Sequence, residues 1–146
     1  MLINILITIS VFAFMEFVAW FTHKYIMHGL LWVLHEDHHK VTSKVFQRND
    51  FFFVIFALPS IALIFTGTYT EYDWAFFAGL GILLYGMAYF FVHDILIHQR
   101  IKWFRYTRNP YFRALRKAHK VHHKHLNKED GECFGMLVVP LKYFKA

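Results

Sequence analysis

The chain has 146 residues, of which 57% are hydrophobic, 21% aromatic and only 18% charged, with a net charge of +6 when the histidines are neutral. That length suits one domain, residues 1–146, and the composition excludes a disordered chain, a disulfide scaffold and a charge-rich nucleic-acid-binding arm. A single cysteine, Cys133, rules out an internal disulfide and any cysteine-based zinc or iron–sulfur site.

Leu2–Phe21 is the first apolar run, interrupted by Asn4, a few hydroxyls and Glu16. Phe51–Tyr69 is the second, uncharged and with one proline, Pro59. Trp74–Ile97 is the third, uncharged until His93 and Asp94. Each approaches the roughly 20 apolar residues that a spanning helix needs. Buried helices of a small soluble bundle would keep a polar face, because a small domain has much surface. These runs are apolar on nearly all sides, so three transmembrane helices are predicted. Pro59 predicts a kink that neighbouring helices make tolerable. Ala75, Gly79 and Gly86 form a stripe of small residues that predicts close helix approach.

All sixteen Lys and Arg fall within residues 24–48 or 100–145, and the 67–73 turn carries only Glu71 and Asp73. The positive-inside rule then puts segments 22–50 and 98–146 in the cytoplasm and the N-terminus outside. The first run lacks a basic leader and a small-residue cleavage site, so it is expected to be retained. With no transit peptide visible, a bacterial inner membrane is the expected location. Residues 106–125 are predicted to form a basic, partly amphipathic cytoplasmic helix with Pro110 near its start. Residues 134–144 are apolar but too short to span, and are expected to dock on the cytoplasmic cap or lie at the interface. The predicted fold is an all-α integral membrane protein with a histidine-rich cytoplasmic cap.

Ten of the eleven histidines lie in four boxes. His23 and His28 make HX4H at the end of the first span, and His35, His38 and His39 make HX2HH just after it. His93 with His98, then His119 with His122 and His123, repeat the order after the third span; His125 is left over. The predicted topology puts all four boxes on one side of the membrane. On a helix, positions i, i+3 and i+4 share a stripe, so each HX2HH set faces one point. Positions five apart diverge by about 140° on an α-helix, so His23 and His28, and likewise His93 and His98, are expected to straddle a centre or serve two metals. Ten imidazoles exceed one metal's coordination and suit two. Neutral imidazole binds zinc, copper, iron and nickel alike, and the scarcity of carboxylates argues against magnesium or calcium.

Carboxylates near the boxes are candidates for holding the second ring N–H of a ligand histidine. Asp94 adjoins His93 and lies four residues before His98, and Glu36 and Asp37 sit inside the second box. Glu16 lies seven residues before His23, on nearly the same stripe and about 10 Å deeper, where a carboxyl is costly. It is expected to be a supporting or channel group, or a protonated acid bonded to another helix, with slight preference for the latter. Tyr85, Tyr89 and His93 share a stripe, on which the tyrosines are expected to pack. His35-Glu36-Asp37-His38-His39 also matches HExxH, the zinc protease signature, but that reading leaves at least seven histidines without a role.

The boxes resemble those of the fatty acid hydroxylase superfamily of membrane non-haem di-iron oxygenases. The flanking residues narrow the resemblance. His23-Lys24-Tyr25-Ile26-Met27-His28-Gly29, Arg48-Asn49-Asp50, Phe91-Val92-His93-Asp94, His98-Gln99-Arg100, Ala118-His119, Val121-His122-His123 and Cys133-Phe134-Gly135 are similar to bacterial β-carotene 3-hydroxylases. The likeness is collinear over nearly the whole chain. It implies that His23, His28, His35, His38, His39, His93, His98, His119, His122 and His123 are the metal ligands of two irons, with zinc a substitute in purified protein. It implies O₂ and two electrons per turnover, and hydroxylation of the β-ionone rings of β-carotene to β-cryptoxanthin and zeaxanthin. The chain carries no flavin, haem or cluster motif, so an external donor such as a ferredoxin with its reductase is expected. The basic face of Arg100, Arg105, Arg108, Arg113, Arg116 and Lys117 suits lipid headgroups first and an acidic donor second. The carotenoid is expected to enter from the bilayer. Rival readings are the same di-iron chemistry used on a fatty acid or sterol, or for carotenoid ketolation or desaturation, a membrane metal carrier, or a bis-histidine haem protein.

Overall fold

A computed structural model describes residues 1–40, 46–126 and 129–145. Of the basic residues behind the predicted topology, Lys44 and Lys128 lie outside the described residues. Among the described residues every regular element is helical. The helices are α1 (Leu2–Phe21), α2 (Trp32–His35), α3 (Phe51–Tyr69), α4 (Trp74–Phe90) and α5 (Pro110–His122). Three helical stretches, Leu2–Leu30, Arg48–Tyr69 and Trp74–Ile97, are long and apolar enough to cross a membrane. A helix is what such sequences form in lipid, because only there does the backbone satisfy itself. Leu6, Phe14, Phe17, Leu58, Ile61 and Phe65 are exposed, as lipid-facing side chains should be.

α4 is the central helix, packed against both α1 and α3. Its start is set by Asp73, whose side chain accepts the Ala75 N–H at 2.8 Å. α3 runs continuously through Pro59, and the next residue, Ser60, donates to the Gly79 carbonyl of α4 at 2.8 Å. The predicted small-residue stripe divides in the structure. A Cβ on Gly79 would lie 2.8 Å from Ile64 and the Ser60 carbonyl, so this glycine sets the α3–α4 spacing. Gly86 meets nothing within 4 Å and faces a cavity instead. The close contact with α1 is made by Gly81, where a Cβ would lie 2.7 Å from the Thr8 carbonyl. The stripe assumed one neighbouring helix, whereas α4 has two.

The helix predicted over 106–125 is shorter. Asn109 caps it, accepting from Tyr111 N at 2.9 Å and Phe112 N at 3.2 Å, and Pro110 is its first residue. Residues 134–144 dock on the cap, the first of the two placements expected, with Phe134, Met136 and Tyr143 buried. Met136 joins Val92, Leu96 and Leu115 in one core, and Tyr143 joins Ala114 and Ala118 in another. Met15, Ala19 and Tyr85 form a third core between α1 and α4.

Candidate metal centre

The two HX4H boxes sit where an α-helix widens. Thr22–Leu30 and Phe91–Ile97 are π-helical, with Leu31 N bonded to Ile26 O at 2.8 Å and His98 N to His93 O at 2.9 Å. An i→i−5 bond closes a turn over five residues, so positions five apart stack on one face. This corrects the expectation that His23 and His28, or His93 and His98, diverge by about 140°. Each pair enters a single cluster.

His23, His28, His35, His39 and His122 form one group, and His38, His93, His98 and His119 a second. Within each group the candidate ligand atoms lie within 4.8 Å of one another. Two nitrogens on opposite sides of one ion stand about 4.2 Å apart, twice a bond of about 2.1 Å, so each spread matches a single ion. His123 turns its Nε2 to His119 at 2.8 Å and to His38 at 3.2 Å, beside the second group. His125 is exposed and apart from both groups.

The outer nitrogens fix the protonation of the inner ones. Nδ1 of His23 donates to the Phe134 carbonyl at 3.0 Å, of His28 to the Leu126 carbonyl at 2.8 Å, and of His122 to the Glu132 carbonyl at 3.1 Å. His35 Nδ1 donates to Asn49 Oδ1 at 2.6 Å, His38 Nδ1 to Gln47 Oε1 at 3.3 Å, and His93 Nδ1 to Asp94 Oδ2 at 3.3 Å. These oxygens have no proton to give, and a neutral imidazole has only one N–H. Its Nε2 is then a bare lone pair. Yet Nε2 faces Nε2 at 3.1 Å for His23 and His35, 3.2 Å for His28 and His122, and 3.0 Å for His38 and His93. Facing lone pairs repel, and a shared cation turns that repulsion into attraction. The donor set therefore fits metal ions.

Burial disfavours the charged form of a ring. Outside the spans it holds His35, His38, His39, His98, His119 and His122 below the ordinary imidazole range, and the neighbouring imidazoles push the same way. His123 is lowered to about 4, again mainly by burial.

The predicted carboxylates divide. Asp94 holds His93 rather than His98, and its other oxygen lies in an ion pair 2.8 Å from Arg100 Nε. Glu36 does not orient a ring but pairs with Lys40 at 2.6 Å on the surface. Asp37 instead accepts the Arg48 N–H at 2.7 Å and ties the second box to the start of α3. Glu16 accepts four hydrogen bonds, from the Met136, Leu137 and Val138 amides at 2.9 Å each and from Tyr85 Oη at 2.7 Å. These contacts tie Glu16 both to another helix, through Tyr85, and to the 136–138 backbone. Tyr89 stacks on His93 with ring centroids 5.0 Å apart.

Asn49, Gln47 and the three backbone carbonyls were not predicted as supports; only the Arg48-Asn49-Asp50 step hinted at them. Two members of the basic face are committed inward. Arg100 pairs with Asp50 at 2.8 Å, and Arg116 donates to the Leu96 and Phe104 carbonyls at 2.8 and 2.7 Å. A cavity of about 490 Å³ lies between α1, α3 and α4, walled by Ala19, Phe52, Phe56, Ile82 and Gly86 and reaching His23 and Asn49.

The sequence profile of the fatty acid hydroxylase family matches residues 8–141. The chain is 43% identical to a beta-carotene hydroxylase of Pseudescherichia vulneris, over 94% of this chain and 77% of that one. It is 42% identical to the beta-carotene hydroxylase of Pantoea ananas, over 94% of this chain and 78% of that one. A chloroplastic beta-carotene 3-hydroxylase of Gentiana lutea is 41% identical over 86% of this chain but only 40% of its own length. No solved structure matches at a significant level. A likeness that runs through all four boxes and nearly the whole chain leaves one conclusion: it belongs to the fatty acid hydroxylase family.

Proposed function

We propose that the chain is a multi-pass membrane monooxygenase that hydroxylates the β-ionone rings of β-carotene, giving β-cryptoxanthin and then zeaxanthin. The observation that carries this reading is the apolar cavity between the spans, whose lining includes His23 of the first histidine group. An apolar ring end can enter it from the bilayer without crossing water. The names of the relatives support the carotenoid as substrate.

His23, His28, His35, His39 and His122 would hold one iron, and His38, His93, His98, His119 and His123 the other. Bound there, the pair would supply the O₂ activation that side-chain acids and bases cannot, since the substrate C–H bond is unactivated. The net reaction inserts one oxygen atom of O₂ and reduces the other to water with two electrons and two protons. The protein's part is to present bare Nε2 atoms, fix the rings through their Nδ1 partners and exclude water. Phe52, Phe53 and Phe56 line the cavity, where they would grip the ring and polyene. By the positive-inside rule the basic segments favour a cytoplasmic histidine cap in a bacterial cell, where a ferredoxin and its reductase would deliver electrons.

The test is product analysis in bacteria that accumulate β-carotene and carry a co-expressed ferredoxin system. Zeaxanthin is expected with the wild-type chain and is absent with His122→Ala. Unchanged β-carotene, with the wild-type protein verified in the membrane, would overturn the substrate.

A further inference from the structure

Residues 132–138 cross the histidine cluster without helix or strand. Backbone amides of such a segment need acceptors, and a carboxyl within a span needs donors. Each need is met by the other at Glu16, whose Oε1 takes three successive amides, Met136, Leu137 and Val138, at 2.9 Å each. Convergent amides of this kind form a nest for an anionic oxygen. Gly135 allows the nest to close, since a Cβ there would lie 2.7 Å from Glu16 Oε1. Tyr85 of α4 steadies the other oxygen at 2.7 Å.

Just upstream, the same strap supplies the Phe134 carbonyl to His23 at 3.0 Å and the Glu132 carbonyl to His122 at 3.1 Å. The Phe134 ring packs edge-on against His23, His28 and His122, with centroids 5.0 to 5.5 Å away. All three histidines belong to the five-histidine group. The other group is held from elsewhere, His38 by Gln47 and His93 by Asp94.

We propose that Glu16 is a positioning residue that pins the 132–138 strap to the first span, so that the strap orients His23 and His122 and sets the metal affinity of the five-histidine site alone. This rests on the two-metal reading above.

The test uses the full-length, iron-loaded protein in detergent, challenged with rising EDTA, with iron per chain read by elemental mass spectrometry. Wild type is expected to lose two ions in two steps. In Glu16→Ala one step should move to about 10–100-fold lower EDTA, the usual cost of removing a group that orients a ligand, while the other stays. Asp94→Asn should move the other step. Gly135→Ala attacks the same contact from the strap side and should mimic Glu16→Ala. Glu16→Gln keeps an acceptor oxygen and should fall between. If Glu16→Ala does not fold, the last two variants carry the test. Steps that shift together, or do not shift, would overturn the strap's role. A wild type holding fewer than two ions would overturn the two-metal reading beneath it.

Discussion

At the scale of single residues, the histidine cluster works because six of its rings, those of His23, His28, His35, His38, His93 and His122, have one nitrogen tied down and the other aimed inward. Asn49 is the clearest case. It is 3% exposed, and its Oδ1 accepts His35 Nδ1 at 2.6 Å. Removing that acceptor leaves a buried ring N–H unsatisfied, at a cost of about 1–3 kcal/mol, and frees the ring to turn. Asn49→Ala is therefore expected to cut turnover and iron affinity about 10–100-fold, while Asn49→Asp, which keeps an acceptor, retains more of both. Turnover of purified variants with reduced donor would check this; an unchanged Asn49→Ala would show that the bond does not orient His35. All ten box histidines were legible in the sequence, because the boxes repeat at fixed spacing. Asn49 was not legible as a support. Spacing rules connect residues of one element, whereas Asn49 reaches a ring in the preceding segment. The carbonyls of Leu126, Glu132 and Phe134 have no side-chain signature at all, and only the folded chain reveals them.

At the scale of elements, the three apolar helices could be read from composition, but the way they pack could not. The stripe of Ala75, Gly79 and Gly86 treated α4 as having one partner. In the structure Gly79 touches α3, while Gly86 opens on the cavity. The same residue type thus does opposite jobs two turns apart. Gly79→Val would force its side chain into the Ser60 carbonyl and Ile64, and overpacking of this kind costs about 1–3 kcal/mol. Its melting temperature in detergent should fall. Gly86→Val meets no neighbour, so it should leave the melting temperature unchanged and slow turnover by narrowing the cavity. Equal melting losses in the two variants would refute this division of labour. The π-helical turns were hidden for a related reason. A box of the form HX4H is ambiguous under α-helical geometry, and it becomes a single-faced pair only when the i→i−5 bond forms. The metal cluster and the widened turn explain each other, and neither follows from local propensity.

At the scale of the whole molecule, lipid-facing helices surround a cavity and end in ten gathered imidazoles, most of them buried, which makes the fold sensitive to acid. The unfolded chain titrates its histidines near 6.5, whereas in the folded state His123 is depressed to about 4 and His35, His39 and His122 to about 2. Above about pH 6.5 neither state binds these protons, and the contribution of neutrality to stability is complete. As pH falls below 6.5 the unfolded chain takes up protons that the folded chain refuses. Stability is then lost progressively, down to about pH 4 for His123 and lower for the others. Bound metal steepens the loss, because protons compete for the same Nε2 atoms. The melting temperature should therefore be flat from about pH 8 to 7 and fall steadily from about 6.5 to 5, in both metal-loaded and chelator-treated protein. Loaded protein should start higher and fall faster, as each ion adds stability only while its ligands are neutral. A melting temperature that does not change between pH 8 and 5 would mean that the cluster's imidazoles titrate in the folded protein as they do in the unfolded chain, so that burial does not hold them neutral, and facing cations at 3.0–3.2 Å would then have to coexist at pH 5.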